Sequence, residues 1–283
     1  MVELGSGDWL DANRAQWDER VPLHAASEFY DLASLRAGAG ELYPIEETEL
    51  ASYLPDGLSG LRVLHLQCHF GADTLALAQR GAEVVGVDFS KPAVLEARRL
   101  AIELGLDDRS RFVNANVYDL RHTLPQPESF DVVYTTWGTI GWLPDVAEWA
   151  RIVEWYLKPG GVLYFADGHP AASVFDGAGE RGLPRFAYPY DVDGEAIVLD
   201  DDTDYAEPDV SLVNTRTFEW SHPLAETVNA LLATGLRLDF LHEHYAVPWR
   251  MFDGLVEGDD RLYRWPAEKW LPLALSIGAS KPV

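Results

Sequence analysis

Cysteine is nearly absent: Cys68 is the only one among 283 residues. A single thiol cannot close an internal disulfide or build a multi-thiolate zinc site, so a reducing cytoplasm is the expected compartment. Basic residues are scarce as well. The 22 Lys and Arg against 46 Asp and Glu give a formal net charge of -24, and no three basic residues are consecutive. With no basic surplus to release counterions, neither nucleic acid nor an acidic membrane surface is an expected partner. The N-terminal stretch MVELGSGDWLDANRAQWDER has no basic segment followed by an apolar one, and no apolar run approaches the length of a membrane span. A small-molecule substrate is the expected partner, and nothing in the sequence bears on the oligomeric state.

What remains is an ordinary globular composition, 47% hydrophobic and 24% charged, enough for one domain over residues 1–283 with a sizeable core. Residues 1–55 read as an N-terminal helical flap, with one or two short helices broken near Pro22. The run LRVLHLQC at 61–68 follows the turn-like PDGLSG and reads as a buried parallel strand. Four more strands follow in alternation with helices: AEVVGVDFS, RFVNANVYD, FDVVYTTWG and VLYFADG. Ser90 and Pro92 mark one helix start, and Gly81 and Gly105 mark helix ends. This alternation predicts an α/β fold, a doubly wound and mostly parallel sheet with helices on both faces.

Residues 56–168 hold that core. From 169 to 222 the rhythm changes to Gly, Pro and Asp clusters with aromatics, including the acidic LDDDTDYAEPD, and predicts an insertion capping the sheet's edge. Residues 223–283 return to the core with a helix from about His222 to Thr234 and strands at 236–245 and 271–280, making seven strands in all.

In such a sheet, ligands bind at the carboxyl ends of the strands, beside the loop after the first strand. That loop, QCHFGAD, holds one glycine, Gly71, which disfavours a dinucleotide-type pyrophosphate cradle. Asp88 ends the second strand, 17 residues after Gly71, where a carboxylate accepts both hydroxyls of an adenosine ribose. It is equally placed as a helix N-terminal carboxylate beside Ser90. Asn116 and Val117 end the third strand, where an amide can read an adenine edge. Tyr134, Trp137 and Trp142 mark the fourth strand and the loop after it, where they can serve a flat aromatic or cationic substrate or simply fill the core.

The segments VLHLQCHFGADTLALAQRGAEVVGVDFS, FVNANVYDL, FDVVYTTWG and LKPGGVLYF resemble, in order and spacing, the four motifs of class I S-adenosylmethionine-dependent methyltransferases. The later segments HPAASVF, EWSHPLAE, FLHEH and LPLALS resemble a bacterial small-molecule subgroup of that family. The resemblance implies a Rossmann-like methyltransferase fold, S-adenosyl-L-methionine as cofactor, and methyl transfer to an O, N or C nucleophile of a small aromatic acceptor, in secondary metabolism. It implies cofactor contacts from Gln67, Cys68, Gly71, Asp73, Thr74, Asp88, Phe89, Ser90, Asn116, Val117 and Thr136. It also implies contacts from the flap, where Arg20 would pair with the methionine carboxylate beside Trp17. Tyr30, Trp137 and Trp142 are the expected substrate contacts.

The sequence departs from the family at the first motif. His65, Gln67 and His69 stand where an acid and two glycines are usual, so side chains are expected to supply part of the cofactor contacts. Asn116 replaces a commoner aspartate. His169, just past the fifth strand, is the expected catalytic base, with the rival role of tying the insertion to a backbone group. His242 and His244 alternate on one strand without a further nearby ligand, and no metal is expected. A nicotinamide-dependent oxidoreductase and a catalytically silent cofactor-binding protein remain open alternatives.

Overall fold

The computed structural model describes residues 3–176 and 184–283. Residues 1–2 of the expected flap and 177–183 of the expected cap lie outside the described residues.

Seven strands form the central sheet: β1 (Arg62–Leu66), β2 (Glu83–Asp88), β3 (Ser110–Asn114), β4 (Phe130–Thr136), β5 (Leu157–Gly168), β6 (Arg237–His244) and β7 (Ala274–Ser280). Their order is β6-β7-β5-β4-β1-β2-β3. The β1 to β5 pairings are parallel, and β7 runs antiparallel to both β5 and β6. The fold is the Rossmann-like doubly wound sheet expected from the alternation. The third strand is shorter than the sequence reading, because Asn116 caps a 3-10 turn at Val117–Asp119 through a bond from the Tyr118 amide.

The helices are α1 (Asp8–Ala26), α2 (Leu32–Arg36), α3 (Pro44–Tyr53), α4 (Ala72–Gln79), α5 (Lys91–Glu103), α6 (Leu120–Thr123), α7 (Val146–Tyr156) and α8 (Leu224–Ala233). Alternation along β1 sends Leu64 and Leu66 into one core, with Trp149, Ile152 and Val153 of α7, and Val63 into the other, with Leu75 of α4 and Val94 and Leu100 of α5. α5 starts as its sequence predicts, with the Ser90 hydroxyl accepting from the Ala93 amide and Pro92 in the first turn.

The flap departs from expectation. α1 is one helix of 19 residues running through Pro22. Pro22 has no N–H for the Asp18 carbonyl, yet the helix is held by a buried face that includes Asn13, Gln16, Arg20 and His24, spaced three or four residues apart. That face is polar, so the apolar periodicity that signals an amphipathic helix is missing.

The cap contains a hairpin of Ile197–Asp200 with Arg216–Glu219 and a shorter pairing of Phe175–Asp176 with Arg185–Phe186. The sequence reading missed a second excursion, between β6 and β7. There Ala246–Val247, Val256–Glu257 and Tyr263–Arg264 form a small sheet over its own core of Val247, Phe252, Leu255 and Trp265.

Candidate active site

The carboxyl ends of β1, β2, β4 and β5 open into a cavity of about 690 Å³, within the range of small-molecule sites. α1 and the 197–219 hairpin form its roof. Asn13 clamps the hairpin from the helix: its Nδ2 donates to the Phe218 carbonyl and its Oδ1 accepts the Phe218 amide, both at 2.8 Å. One turn and a half later, the Glu19 carboxylate accepts the Val213 and Asn214 amides. Flap and cap are therefore one lid, built from segments about 200 residues apart in sequence.

The floor is the β1–α4 loop. Gln67, His69 and Gly71 all adopt left-handed backbone, with φ of 56°, 50° and 79°. The non-glycine residues thus take the conformation for which glycine is usual, at a cost of about 1–2 kcal/mol each. Gly71 cannot be replaced in the same way, because a Cβ there would lie 2.6 Å from the Phe112 ring. Side-chain bonds fix the loop: Gln67 Nε2 donates to the Thr139 carbonyl at 2.8 Å, and the Asp88 carboxylate accepts the His69 and Ser90 amides, each at 2.8 Å. Burial pushes the Asp88 carboxyl up to about 6, against the opposing pull of those two amides.

Most of the expected residues share this cavity. Trp17, Arg20, Gln67, Cys68, Gly71, Asp73, Asp88, Phe89, Asn116, Val117 and Thr136 line it, as do Tyr30, Trp137 and Trp142. Thr74 and Ser90 lie behind the wall. Both are fully buried and absent from the wall; Thr74 Oγ1 bonds His65 Nδ1 at 2.8 Å, and Ser90 caps α5. Asn116 is engaged by the protein, donating to the Leu4 carbonyl at 2.8 Å while its Oδ1 accepts the Tyr118 amide. Tyr134 is buried in the core rather than on the wall, where its hydroxyl bonds Glu46. Glu46 in turn accepts the Trp137 indole N–H at 2.7 Å, which fixes that ring against the cavity.

His169 stands apart from the wall. It is buried and does not line the cavity, although its neighbours Gly168 and Pro170 do. Its Nδ1 accepts the Ala171 amide at 3.1 Å, and its Nε2 lies 3.2 Å from the Glu243 carboxylate of β6. Pro170 turns the chain so that the imidazole braces the start of the insertion. His242 and His244 likewise converge on Glu49, and no group of three or more potential metal ligands exists among the described residues.

Sequence reasoning missed several wall residues. Asp167, on β5, accepts the Gly138, Thr139 and Gly168 amides and shapes the loop after β4; the strand-end rule that selected Asp88 also covers it. Trp249, Met251 and Arg261 come from the unrecognised second excursion. In the acidic run, Tyr205 lines the cavity and Asp204 is buried, not solvated. Asp204 takes an ion pair from Arg20 at 3.3 Å and a bond from His24 Nε2 at 2.9 Å. The Arg20 guanidinium lies over the Trp17 ring at 5.1 Å.

Residues 63–161, from β1 into β5, match the methyltransferase domain family. Over that segment the chain carries a methyltransferase domain. The whole sheet agrees: the chain resembles the S-adenosylmethionine-dependent methyltransferase from Mesorhizobium loti with a TM-score of 0.56 at 21% identity, over 83% of this chain and 97% of that one. It resembles the [4+2]-cyclase SpnF to the same TM-score at 16% identity over the full length of both. These likenesses establish the fold and no more. In sequence, the chain is 30% identical over 152 residues to the ubiquinone biosynthesis O-methyltransferase of Stutzerimonas stutzeri, which is 53% of this chain and 62% of that relative. The chain therefore spans less than two thirds of that relative's length.

S-adenosylmethionine is the cofactor that the sequence resemblance implies, and the residues of this cavity fit it. Gln67 Oε1 and Gln16 Oε1 are buried polar atoms without a hydrogen-bond partner among the described residues, both on residues that line the wall. Such atoms are costly to bury unless a polar ligand satisfies them.

Proposed function

We propose that the protein transfers the methyl group of S-adenosylmethionine to a nucleophile of a small aromatic molecule. The observation that carries this reading is the juxtaposition, in one cavity, of the Asp88 carboxylate at the end of β2 with an aromatic wall of Trp17, Tyr30, Trp137, Trp142 and Trp249. Asp88 would hold the ribose hydroxyls; the remaining N–H groups of Arg20 would hold the methionine carboxylate. The partnerless Gln67 and Gln16 oxygens offer acceptors to its ammonium group. Bound there, S-adenosylmethionine supplies an electrophilic methyl group on a cationic sulfur.

The protein's own task is positioning. Holding donor and acceptor in near-attack geometry supplies about 7–11 kcal/mol of the barrier. The α1–hairpin lid keeps water from the reacting centre, and the indole rings offer faces to a flat acceptor and to the sulfonium charge. The relative from Stutzerimonas stutzeri carries O-methyltransferase in its name, which supports an oxygen acceptor. Incubating the protein with methyl-tritiated S-adenosylmethionine and a panel of phenols, aromatic amines and aromatic carbon acids tests the reading. Label transfer to an aromatic acceptor is expected; transfer to none of them, or only to non-aromatic additives, contradicts it.

A further inference from the structure

One cluster on the cavity wall has a directional hydrogen-bond order. Asp204 Oδ2 faces His24 Nε2 at 2.9 Å, and His24 Nδ1 faces His69 Nε2 at 2.9 Å. The carboxylate of Asp204 is held down at about 2, where burial is outweighed by the hydrogen bond of His24 and by two backbone amides. An ionised carboxylate only accepts, so His24 Nε2 carries the hydrogen, and in the neutral ring that the relay requires its Nδ1 is the acceptor. That acceptor takes the Nε2–H of His69. The chain of donors therefore ends on His69 Nδ1, a lone pair with no hydrogen-bond partner among the described residues, on a side chain that lines the cavity.

We infer that His69 is a catalytic base for a hydroxyl acceptor, with His24 and Asp204 as its positioning residues in a three-member proton relay. The inference rests on the methyltransferase reading above and deepens it by naming the acceptor class, an aromatic hydroxyl. In the step, the acceptor O–H bond breaks, its electron pair stays on oxygen, and the proton binds His69 Nδ1. The Nε2 proton of His69 moves to His24 Nδ1. The oxygen pair forms the new bond to the methyl carbon while the carbon–sulfur pair remains on sulfur, so one proton is released overall and returns to solvent.

The environment explains why the charge is handed on. Burial, with the charge of Arg20 adding to it, holds the His69 imidazole well below its ordinary value despite the opposing charge of Asp204. A resting neutral ring keeps the lone pair available, and a positive charge does not persist there. On His24 the charge would sit against the Asp204 carboxylate. Tyr30 and Tyr205 border the relay: the Tyr30 hydroxyl lies 3.2 Å from His24 Nδ1 and is hydrogen-bonded to that of Tyr205. Both line the cavity and can hold the acceptor hydroxyl near His69.

The test uses the full chain labelled with 15N-histidine, read by long-range proton–nitrogen NMR at pH 7, with signals assigned from His24→Gln and His69→Gln. Both rings are expected as neutral Nε2–H tautomers, with the His24 pattern lost in Asp204→Asn. A hydrogen on His69 Nδ1, or a charged His69 ring at rest, overturns the relay. On the acceptor that receives label, His69→Gln is expected to lower turnover by about 10²–10⁴-fold. Asp204→Asn should lower kcat with acceptor KM unchanged. His69→Gln should bind S-adenosylhomocysteine within a few-fold of wild type by calorimetry. Full turnover in His69→Gln, or label found on nitrogen or carbon, also overturns it. Failure of the wild-type protein to bind S-adenosylhomocysteine would instead sink the underlying methyltransferase reading, and the two failures are separable.

Discussion

The Asp88 carboxylate accepts the His69 amide at 2.8 Å, joining the end of β2 to the loop after β1. The same carboxylate accepts the Ser90 amide with its other oxygen, so a single side chain sets the loop that floors the cavity and the start of α5. Each oxygen has a further lone pair, and these are the acceptors a ribose would use. The left-handed turns at Gln67 and His69 follow from this arrangement, because the loop must bring its amides round to the carboxylate.

His69→Gly and Gly71→Ala should therefore behave oppositely. Glycine at 69 relieves about 1–2 kcal/mol of left-handed strain but adds about 0.5–1 kcal/mol of unfolded-state entropy, so urea midpoints should stay close to wild type. Alanine at 71 brings both strain and a Cβ 2.6 Å from Phe112. A loss of at least about 2 kcal/mol is expected there. Equal stability of the two variants would contradict the account of the loop.

The sheet was legible because β1, β2, β4 and β7 are buried on both faces and its helices are punctuated by Ser90, Pro92, Gly81 and Gly105. Asp88 was legible from its place at a strand end. The lid was not. Asn13, Gln16, Arg20 and His24 form a buried polar stripe whose partners, such as Phe218 and Asp204, come from the distant cap, and local periodicity carries no signal for such a face. Asp204 sits in an acidic run that reads as solvated, and only the fold brings it under α1. The place of the His169 ring off the wall was not legible either, because a strand-end position fixes where the backbone ends, not where the ring turns.

Asn13→Ala should loosen the lid without unfolding the sheet. It removes two hydrogen bonds to Phe218, each contributing about 0.5–1.5 kcal/mol. Faster hydrogen exchange confined to α1 and residues 197–219 is expected, together with weaker retention of S-adenosylhomocysteine. Unchanged exchange in the hairpin would separate the flap from the cap.

His169→Ala should leave turnover per folded molecule within about three-fold of wild type while lowering the melting temperature by several degrees, since a buried brace is lost. A fall of about 10²-fold in turnover at unchanged stability would restore His169 as the base.

Glu46 gives the stability a specific pH dependence. Burial, reinforced by Asp73, pushes its carboxyl up to about 8 from 4.5, against bonds from Tyr134, Trp137 and Tyr43. Between those values the folded state holds a proton that the unfolded chain releases, so this group's contribution to stability falls as pH rises through the window. Glu46→Gln should remove that slope. The change in unfolding free energy between pH 5 and pH 8 is expected to be more favourable to the variant by at least about 1.4 kcal/mol, one pKa unit. Parallel pH profiles for variant and wild type would contradict the assignment.

The central claim, that this cavity holds S-adenosylmethionine through Asp88, is tested most directly by titrating the full-length protein and Asp88→Ala with S-adenosylhomocysteine in a calorimeter, with NADH as the competing ligand. The account predicts saturable one-site binding of S-adenosylhomocysteine, at least about ten-fold weaker in Asp88→Ala because a charged acceptor is lost, and no heat from NADH. Equal affinity in the two proteins, or binding of NADH in place of S-adenosylhomocysteine, would contradict it.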